Sequence, residues 1–360
     1  MAIRKIAAVM MIVAVMLSLT SCGYNPKTVG TITDPDGNVI DITCGEYLAA
    51  QYEAVVNLLN QAGAPDNVDL AAILDTPYGD GTIRDYLYEL IPSTILNRAA
   101  TDYIYGKVVG ETDLPTKIYF DQYVQNDWAA DSTVMLQNGI GFESFEAYET
   151  QILRASQIPY VLYGEGGEQE LSDEYLADYV ENSVGRFTYL SLPYRKFSGD
   201  PLSQTEIETL RNYANEILAK VLDGSMAPGL SPKEKISGAA SDYVDEYQNM
   251  MGYQQEMSSV TYENTRFLRG DGKFSTSAYE QMFNVPVGGY AVIDGGSGLF
   301  TVVYRHELAE EDTAENMIDD IITATCGEMF TEYVLEVANG FRIEFDDKAR
   351  QYYSLDKVVV

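Results

Sequence analysis

Apolar residues recur at helical spacing through most of the first 165 residues of the chain. Thr43 and Glu46 have the spacing of a helix-capping box, and Leu48 and Tyr52 begin an apolar stripe behind it. Strands and helices do not alternate in this part of the chain, so it is predicted to be an α-helical lobe. Further helices are predicted to start at the capping pair Thr82 and Asp85, to break or kink at Pro92 and then resume, and to cover 116–130 and 142–163.

A short stretch before the first helix alternates between apolar and polar residues. Residues 31–42 do so around the turn sequence Pro35-Asp36-Gly37, which predicts a β-hairpin. The aspartates of this stretch could instead form a calcium loop. However, Gly37 follows Asp36 directly, where an EF-hand loop requires another ligand first. The pattern therefore favours a plain hairpin.

The middle of the chain changes to strands separated by helices. Residues 186–193 and 299–305 are strand-like runs, rich in β-branched and aromatic residues. Between them, a capping box at Ser203 starts an amphipathic helix that ends before Gly224, and a Met- and Tyr-rich helical region covers 233–258. This order predicts a separate domain that mixes strands and helices.

A long helical stretch follows this mixed domain. Residues 313–339 place apolar side chains at helical spacing, and residues 341–345 alternate like a strand. The apolar face of the helix needs a partner, and the N-terminal lobe offers one. We therefore expect the helix to pack against that lobe, near the helix that begins at Cys44.

The first 22 residues have the pattern of an export signal. Arg4 and Lys5 precede a continuous apolar run, 6–17, which is shorter than the ~20 residues needed to span a bilayer. The sequence Leu-Thr-Ser-Cys that ends at Cys22 resembles a bacterial lipobox. That resemblance implies a signal peptide at 1–21, a lipid on the Cys22 thiol and a tether over 22–30. An ordinary signal peptide with a chance cysteine is the alternative.

Composition limits the remaining possibilities. The formal net charge is −32, which repels nucleic acid and anionic lipid headgroups, so nucleic acid is excluded as a partner. The apolar fraction of 46% is sufficient for a sizeable core. One histidine and three cysteines leave little material for metal binding or histidine-based catalysis, so we predict no metal and no cofactor. Cys44 and Cys326 could form a disulfide, although two lone cysteines do not define a disulfide framework.

The central domain resembles a parvulin-type peptidyl-prolyl isomerase, and the helical segments on either side resemble the chaperone part of the PrsA and SurA-type extracytoplasmic foldases. This resemblance implies an α+β fold. A discontinuous helical chaperone lobe, made of 31–165 and 311–360, would carry an inserted parvulin-like α/β domain at 170–308. The motifs that carry the parvulin resemblance are 216–225, 265–270, 279–283 and 285–289.

The parvulin resemblance also implies where a substrate groove would lie, and there the chain departs from the family. The two histidines at the floor of the parvulin groove fall at or beside Tyr189 and at Phe300. The single histidine, His306, is predicted to be an exposed polar residue beyond the closing strand. The residues that would form the apolar wall gripping proline are Phe274, Tyr279 and Phe283. The alternative for these aromatic residues is that they fill the core.

Three functions are compatible with this pattern. The first is a foldase or holdase for unfolded, newly exported polypeptides, lipid-anchored through Cys22 to the extracytoplasmic face of a bacterial cell membrane. The second is an active peptidyl-prolyl isomerase. The third is a solute-binding lipoprotein, which would require two lobes with alternating strands and helices. Residues 43–163 lack that alternation, so we favour the foldase.

Overall fold

The structure is a computed structural model in which five stretches of the chain are described. The predicted signal peptide and Cys22 lie outside them. Within the described stretches no helix is long and apolar enough to cross a membrane. The described residues are 25–63, 69–112, 114–252, 256–294 and 299–360.

The chain divides into two compact units. The first contains the described residues up to Ile158 together with Thr331–Val360, and the second is Pro159–Phe330. The two boundaries between the units, after Ile158 and after Phe330, both lie inside long helices rather than in loops.

The first unit begins with the predicted hairpin. Strand β1 (Thr28–Thr33) pairs antiparallel with β2 (Val39–Thr43). The side chain of Asp34 accepts hydrogen bonds from the backbone and the side-chain amide of Asn38, at 2.8 Å each, and so closes the turn. Gly37 has a φ of +87°, which an L side chain adopts only with strain. The plain hairpin is therefore confirmed.

Helices, with one short two-stranded sheet, form the rest of this part of the first unit, and the capping patterns predict where two of the helices begin. Both predicted capping boxes are present, with Thr43 bonded reciprocally to Glu46 and Thr82 to Asp85. Pro92 lies inside a continuous helix instead of interrupting it. The elements are α1 (Cys44–Gln61), α2 (Leu70–Leu74), β3 (Pro77–Tyr78), β4 (Gly81–Thr82), α3 (Ile83–Val108), α4 (Leu114–Gln137) and α5 (Phe142–Tyr163).

The second unit is built around a four-stranded antiparallel sheet in the order β6-β5-β8-β7. One face carries Leu190 and Val302, which pack with the apolar stripes of α7 and α8. The opposite face carries Phe187 and Val303, which pack with α10. The elements are α6 (Asp173–Ser183), β5 (Val184–Pro193), α7 (Gln204–Leu222), α8 (Pro232–Ala240), α9 (Val244–Met251), β6 (Thr261–Leu268), α10 (Thr276–Phe283), β7 (Tyr290–Asp294) and β8 (Leu299–His306).

The helical region predicted over 233–258 is divided into shorter pieces. Ser231 and Glu234 form a further capping box that starts α8, which the sequence prediction missed. A 3-10 turn, Ser241–Tyr243, separates α8 from α9. Gly252 ends α9 in the left-handed conformation, with a φ of 77°.

The return segment begins with α11 (Ala314–Ala338), close to the predicted 313–339. The apolar residues in its first turns do not find their partners where the sequence predicted. Met317 and Ile321 are fully buried in a cluster with residues of α6 and β6 in the second unit, including Tyr179 and Leu268. The expectation that this stripe packs on the N-terminal lobe is therefore wrong for these two residues.

The strand predicted near the C-terminus completes the small sheet of the first unit. Strand β9 (Arg342–Phe345) pairs antiparallel with β1, which gives the order β2-β1-β9, and α12 (Asp347–Tyr352) follows it. A Cβ at Gly30 would lie 2.2 Å from the carbonyl oxygen of Glu344, so this pairing requires glycine there. The sequence predicted the strand but not its partner.

A half-buried carboxylate in the first unit makes its stability depend on pH. Burial and the facing Asp127 raise the pKa of Glu149 to about 7, with Asp131 and Glu53 adding to the effect and Arg98 opposing it. Since the folded pKa exceeds the ordinary 4.5, folding takes up a proton between these values. The stability gained from this proton is full below the unfolded pKa and is lost as the pH rises through about 7.

We therefore expect Glu149→Gln to stabilise the protein at pH 8 by about 1–2 kcal/mol, after discounting for solvent screening, and to change little at pH 5. Thermal unfolding at the two pH values measures this difference. The exposed Asp121 of α4 provides the control variant, Asp121→Asn. Equal stabilisation by Glu149→Gln at both pH values would contradict the assignment.

Candidate functional site

Seven aromatic residues gather on the face of the second unit's sheet that carries α10, and we call them the aromatic cluster. Phe274 lies at its centre, with ring centroids 5.2 Å from Phe267 and 6.0 Å from Tyr189. Tyr189 in turn stacks on Tyr262 at 4.8 Å. The members are Phe187, Tyr189, Tyr262, Phe267, Phe274, Tyr279 and Phe283.

The aromatic cluster has a buried floor and an accessible rim. Phe187 and Phe267 are almost completely buried, and Tyr279 is only 3% exposed. Tyr189 and Phe274 are half-buried, whereas Tyr262 is 48% exposed. The cluster is thus partly core and partly surface. The interpretation that these aromatic residues fill the core is confirmed for Tyr279 and Phe283, and a proline-binding role for the half-buried Phe274 stays a prediction.

An irregularity in β6 brings Tyr262 to the rim. The pairing of β5 with β6 shifts between Phe187, which pairs with Thr265, and Tyr189, which pairs with Tyr262. The extra residue is accommodated at Asn264, whose φ of 45° is left-handed, and the Asn264 N–H donates to the hydroxyl of Thr188 at 3.1 Å. Nothing in the sequence pattern predicted this bulge, and Tyr262 was missed for that reason.

A phenol and a carboxylate form the main polar contact within the cluster. The Tyr279 hydroxyl donates to Asp271, whose carboxylate also accepts the backbone N–H groups of Leu268 and Lys273. Burial, with Asp271 adding to it, raises the pKa of Tyr279, so the phenol stays protonated. The hydroxyl is therefore a neutral donor already engaged with a neighbour. The accessible rings of Tyr189, Tyr262 and Phe274 offer apolar and π surface rather than proton transfer.

The single histidine lies away from the aromatic cluster. His306 is the last residue of β8 and pairs with Arg186, so strand alternation places it on the face opposite Phe187. Its Nε2 lies 2.8 Å from the Thr188 hydroxyl, and burial lowers the pKa of the imidazole. The sequence analysis expected an exposed polar residue at a strand end. Its position at the strand end is confirmed, whereas the expected exposure is wrong. His306 is half-buried within the sheet.

The backbone register also locates the two positions where the family's histidines would fall. Tyr189 pairs with Val303 on β8, whereas the backbone of Phe300 pairs with Leu192 on β5 and Asp294 on β7. The two positions are therefore three residues apart along the strand pairing. Tyr189 belongs to the rim of the aromatic cluster, and two of the three predicted wall residues, Tyr279 and Phe283, belong to its floor.

Neither a disulfide nor a metal centre is formed by the described residues. Cys44 and Cys326 are both free thiols, and the two residues belong to different units. Burial raises the pKa of Cys326. Within the described stretches no group of three histidine, cysteine or acidic residues could hold a metal ion.

A concave feature lies in the first unit. It is a cavity of about 310 Å³ between the β1–β2 hairpin and helices α1, α3 and α5. Ile32, Ile42 and Phe341 contribute apolar surface, and Tyr148 and Gln151 come from α5. Its lining combines segments far apart in sequence, and no local motif marks it.

No protein-family model and no curated protein matches the chain. Several solved structures are similar to it. The foldase protein PrsA from Streptococcus pneumoniae has 13% identity and a TM-score of 0.39, covering 82% of this chain and 100% of its own. PrsA from Lactococcus lactis has 15% identity and a TM-score of 0.37, covering 78% and 96%. The peptidylprolyl isomerase PrsA from Bacillus cereus has 11% identity and a TM-score of 0.32, covering 77% and 94%. Because these values are low, we base the function on the residues of this chain.

Proposed function

We propose that the protein is an extracytoplasmic chaperone that binds unfolded segments of exported polypeptides on the aromatic cluster. The observation that carries this proposal is the combination of an accessible rim, formed by Tyr189, Tyr262 and Phe274, with a rigid buried floor. Aromatic rings provide a large contact area at small entropic cost, because each side chain has few rotatable bonds. Such a surface suits apolar and proline-containing segments of many sequences.

The same geometry favours binding over catalysis. Prolyl isomerisation needs no covalent chemistry, but it requires a site that stabilises the twisted imide more than the cis and trans states. The uncatalysed barrier is ~18–20 kcal/mol, and each tenfold acceleration requires about 1.4 kcal/mol of such selectivity. The Tyr279 hydroxyl is engaged with Asp271, and His306 lies on the other face of the sheet. The cluster therefore holds proline segments without much acceleration.

An active peptidyl-prolyl isomerase is the second candidate, and one contact favours it. The Tyr279 phenol remains protonated inside the cluster, so it is a donor that a twisted imide could use if the bond to Asp271 opened. Asp271→Asn would weaken that bond. Isomerase activity that rises in this variant would support the second candidate.

We extend the proposal to the domain organisation. We propose that the first unit is the helical chaperone lobe of a SurA-type foldase. The second unit would carry a parvulin-like domain that lacks the two groove histidines. The chain order of a strand, helices, a second strand, the short helix α10 and the closing strand β8 supports this assignment.

Light scattering tests the proposed function. A chemically denatured client protein is diluted into buffer that contains increasing amounts of the chain, and aggregation is followed with time. The proposal predicts suppression that is complete near equimolar chain. An equal amount of an unrelated acidic protein controls for charge. Scattering that is the same with the chain as with the control would refute the chaperone function.

Membrane attachment is a separate part of the proposal, and it rests on the lipobox that ends at Cys22. We expect Cys22→Ala to leave the protein without lipid and to move it from the membrane fraction to the soluble extracytoplasmic fraction. Mass spectrometry of the mature N-terminus measures the modification directly. A mature protein that retains residues 1–21, or that lacks lipid on Cys22, would show that the anchor is misassigned.

A further inference from the structure

The cavity in the first unit borders the open edge of a sheet. Three consecutive residues of β2, Ile40, Asp41 and Ile42, line it. Successive side chains of a strand point to opposite faces, so a cavity beside one face contacts every second residue. Ile32 of β1, which pairs with Ile40, also lines the cavity, so the cavity lies beside this face of the hairpin, and its contact with Asp41 extends it to the edge of β2. In the sheet order β2-β1-β9, β2 is an edge strand.

The hydrogen-bond register shows which backbone groups this edge presents. The Asp34 N–H donates to the Asn38 carbonyl at 2.9 Å, so residues 34 and 38 form a bonded pair. Bonded and non-bonded pairs alternate along an antiparallel ladder, so Ile40 bonds to β1 while Val39 and Asp41 do not. The N–H and C=O groups of Val39 and Asp41 are therefore directed outward, toward an added strand.

The edge of β2 is exposed and mostly apolar, with Asp41 as its one charged residue. Val39 is 66% exposed and Ile40 is 48% exposed, and β2 contains neither proline nor lysine. Natural proteins normally block exposed edges with such residues, or cover them, because an open apolar edge pairs with other chains. An edge left open beside an apolar cavity is suited to receive an extended segment.

The charges around the cavity define the segment that fits. Among the described residues that line the cavity there are four carboxylates and one guanidinium. The guanidinium, Arg98, is already paired with Glu53 at 2.6 Å and lies 3.7 Å from the centre of the Tyr148 ring. Among the lining carboxylates, Asp102 is likewise paired, with Arg154 at 2.9 Å. The other three leave the field around the cavity negative, and it attracts cationic residues. The carboxylates are those of Asp34, Asp41, Glu46 and Asp102.

We propose that β2 binds, by antiparallel strand addition, an extended client segment in which apolar and basic residues alternate. Apolar side chains opposite Ile40 and Ile42 enter the cavity, and a lysine or arginine lies opposite Asp41. Opposite charges and apolar pairs placed directly across strands stabilise a sheet. The inference rests on the proposed chaperone function and adds a second client site, with its own sequence preference, to that of the aromatic cluster.

Synthetic peptides test this site on the full chain. The probe is a fluorescent nonapeptide that alternates Lys with Val and Phe, and anisotropy measures its binding. In the proposed register a Lys lies opposite Asp41, whose backbone N–H and C=O point away from β1. The backbone amide of each Lys therefore faces β2 and can form ladder bonds with it. N-methylation of the Lys amides should weaken binding by at least about tenfold, through lost ladder bonds and steric clash. N-methylation of the Val and Phe amides keeps every side chain and should change affinity by less than about twofold.

A charge exchange tests the pairing at Asp41. The Asp41→Lys variant should bind the Lys peptide about two- to fivefold more weakly and the matching Glu peptide more tightly by a similar factor. The Asp41 side chain is exposed, so this variant is expected to fold. Equal effects of the two N-methylation patterns, or no change of charge preference in Asp41→Lys, would overturn the proposal.

These outcomes can be separated from a failure of the proposed function. If the chain suppresses aggregation but the peptides show neither preference, the strand-addition site is wrong and the chaperone function stands. If the peptides bind with both preferences while aggregation is unaffected, the site stands and the chaperone function is wrong.

Discussion

Arg186→Ala is expected to lower the free energy of unfolding of the second unit by about 3–5 kcal/mol, because it leaves a buried carboxylate without its main partner. The Asp312 side chain is fully buried. Arg186 donates to it through Nε at 2.5 Å and Nη2 at 3.0 Å. The second cation near Asp312, Arg266, is 3.5 Å away and bonds more closely to Asp320. Chemical denaturation followed by circular dichroism measures the loss.

A half-exposed ion pair in the same unit provides the control. Arg211 lies 3.4 Å from Asp294, and their side chains are 49% and 46% exposed. Arg211→Ala should cost less than about 1 kcal/mol. A loss for Arg186→Ala no larger than that of the control would show that the buried pair does not hold β5 to the start of α11.

The Arg186–Asp312 pair also makes the stability of the second unit depend on pH. Burial would raise the pKa of Asp312, but the hydrogen bonds from Arg186 and from the Ala309 N–H outweigh it, and the pKa lies below its ordinary value of 3.8. A depressed carboxylate pKa stabilises the fold above the unfolded value, and this stability is lost as the pH falls through the folded value. The difference between wild type and Arg186→Ala should therefore shrink as the pH falls below about 4.

Phe274→Ala is expected to weaken the binding of proline-containing and apolar peptides by at least about tenfold, because it removes the ring that joins the rim of the aromatic cluster to its floor. The ring is half-buried and contacts Tyr189, Phe267 and Tyr279. Anisotropy of a labelled peptide measures the affinity, and thermal unfolding of the same sample reports whether the variant is folded.

The matched control removes the same side chain from a position outside the cluster. Phe197 is 79% exposed in the loop between β5 and α7. Phe197→Ala should leave peptide affinity within about twofold of wild type. If both variants bind as tightly as wild type, the binding surface is not the aromatic cluster.

Local chemistry made much of the secondary structure predictable. A capping box needs only two residues three positions apart, and those at Thr43, Thr82 and Ser203 all start helices. The turn before Val39 likewise depends on adjacent residues, and the hairpin formed as predicted. Capping boxes and turns depend only on residues that are close in sequence, so they can be predicted without knowing the rest of the fold.

The features that build the two proposed binding surfaces depend on contacts between distant residues, and the sequence did not predict them. The bulge at Asn264 depends on the register between β5 and β6, and the alternation of apolar and polar residues along a strand does not specify that register. The bulge nevertheless brings Tyr262 beside Tyr189. The cavity joins the hairpin to helices α3 and α5 and to Phe341 near the other end of the chain. The apolar stripe at Met317 indicated burial but not which elements would provide it.

The central claim is that the aromatic cluster binds proline-containing segments without catalysing their isomerisation, and exchange spectroscopy by nuclear magnetic resonance tests both parts at once. The sample is a labelled tetrapeptide with one proline, whose uncatalysed cis–trans exchange takes tens to hundreds of seconds. Our account predicts that adding the protein shifts the resonances of both the cis and the trans peptide, and that the Phe274→Ala variant shifts them less. It also predicts that no exchange peaks connect the two isomers at mixing times of about one second. Exchange peaks at that mixing time, or resonances that do not move, would contradict it.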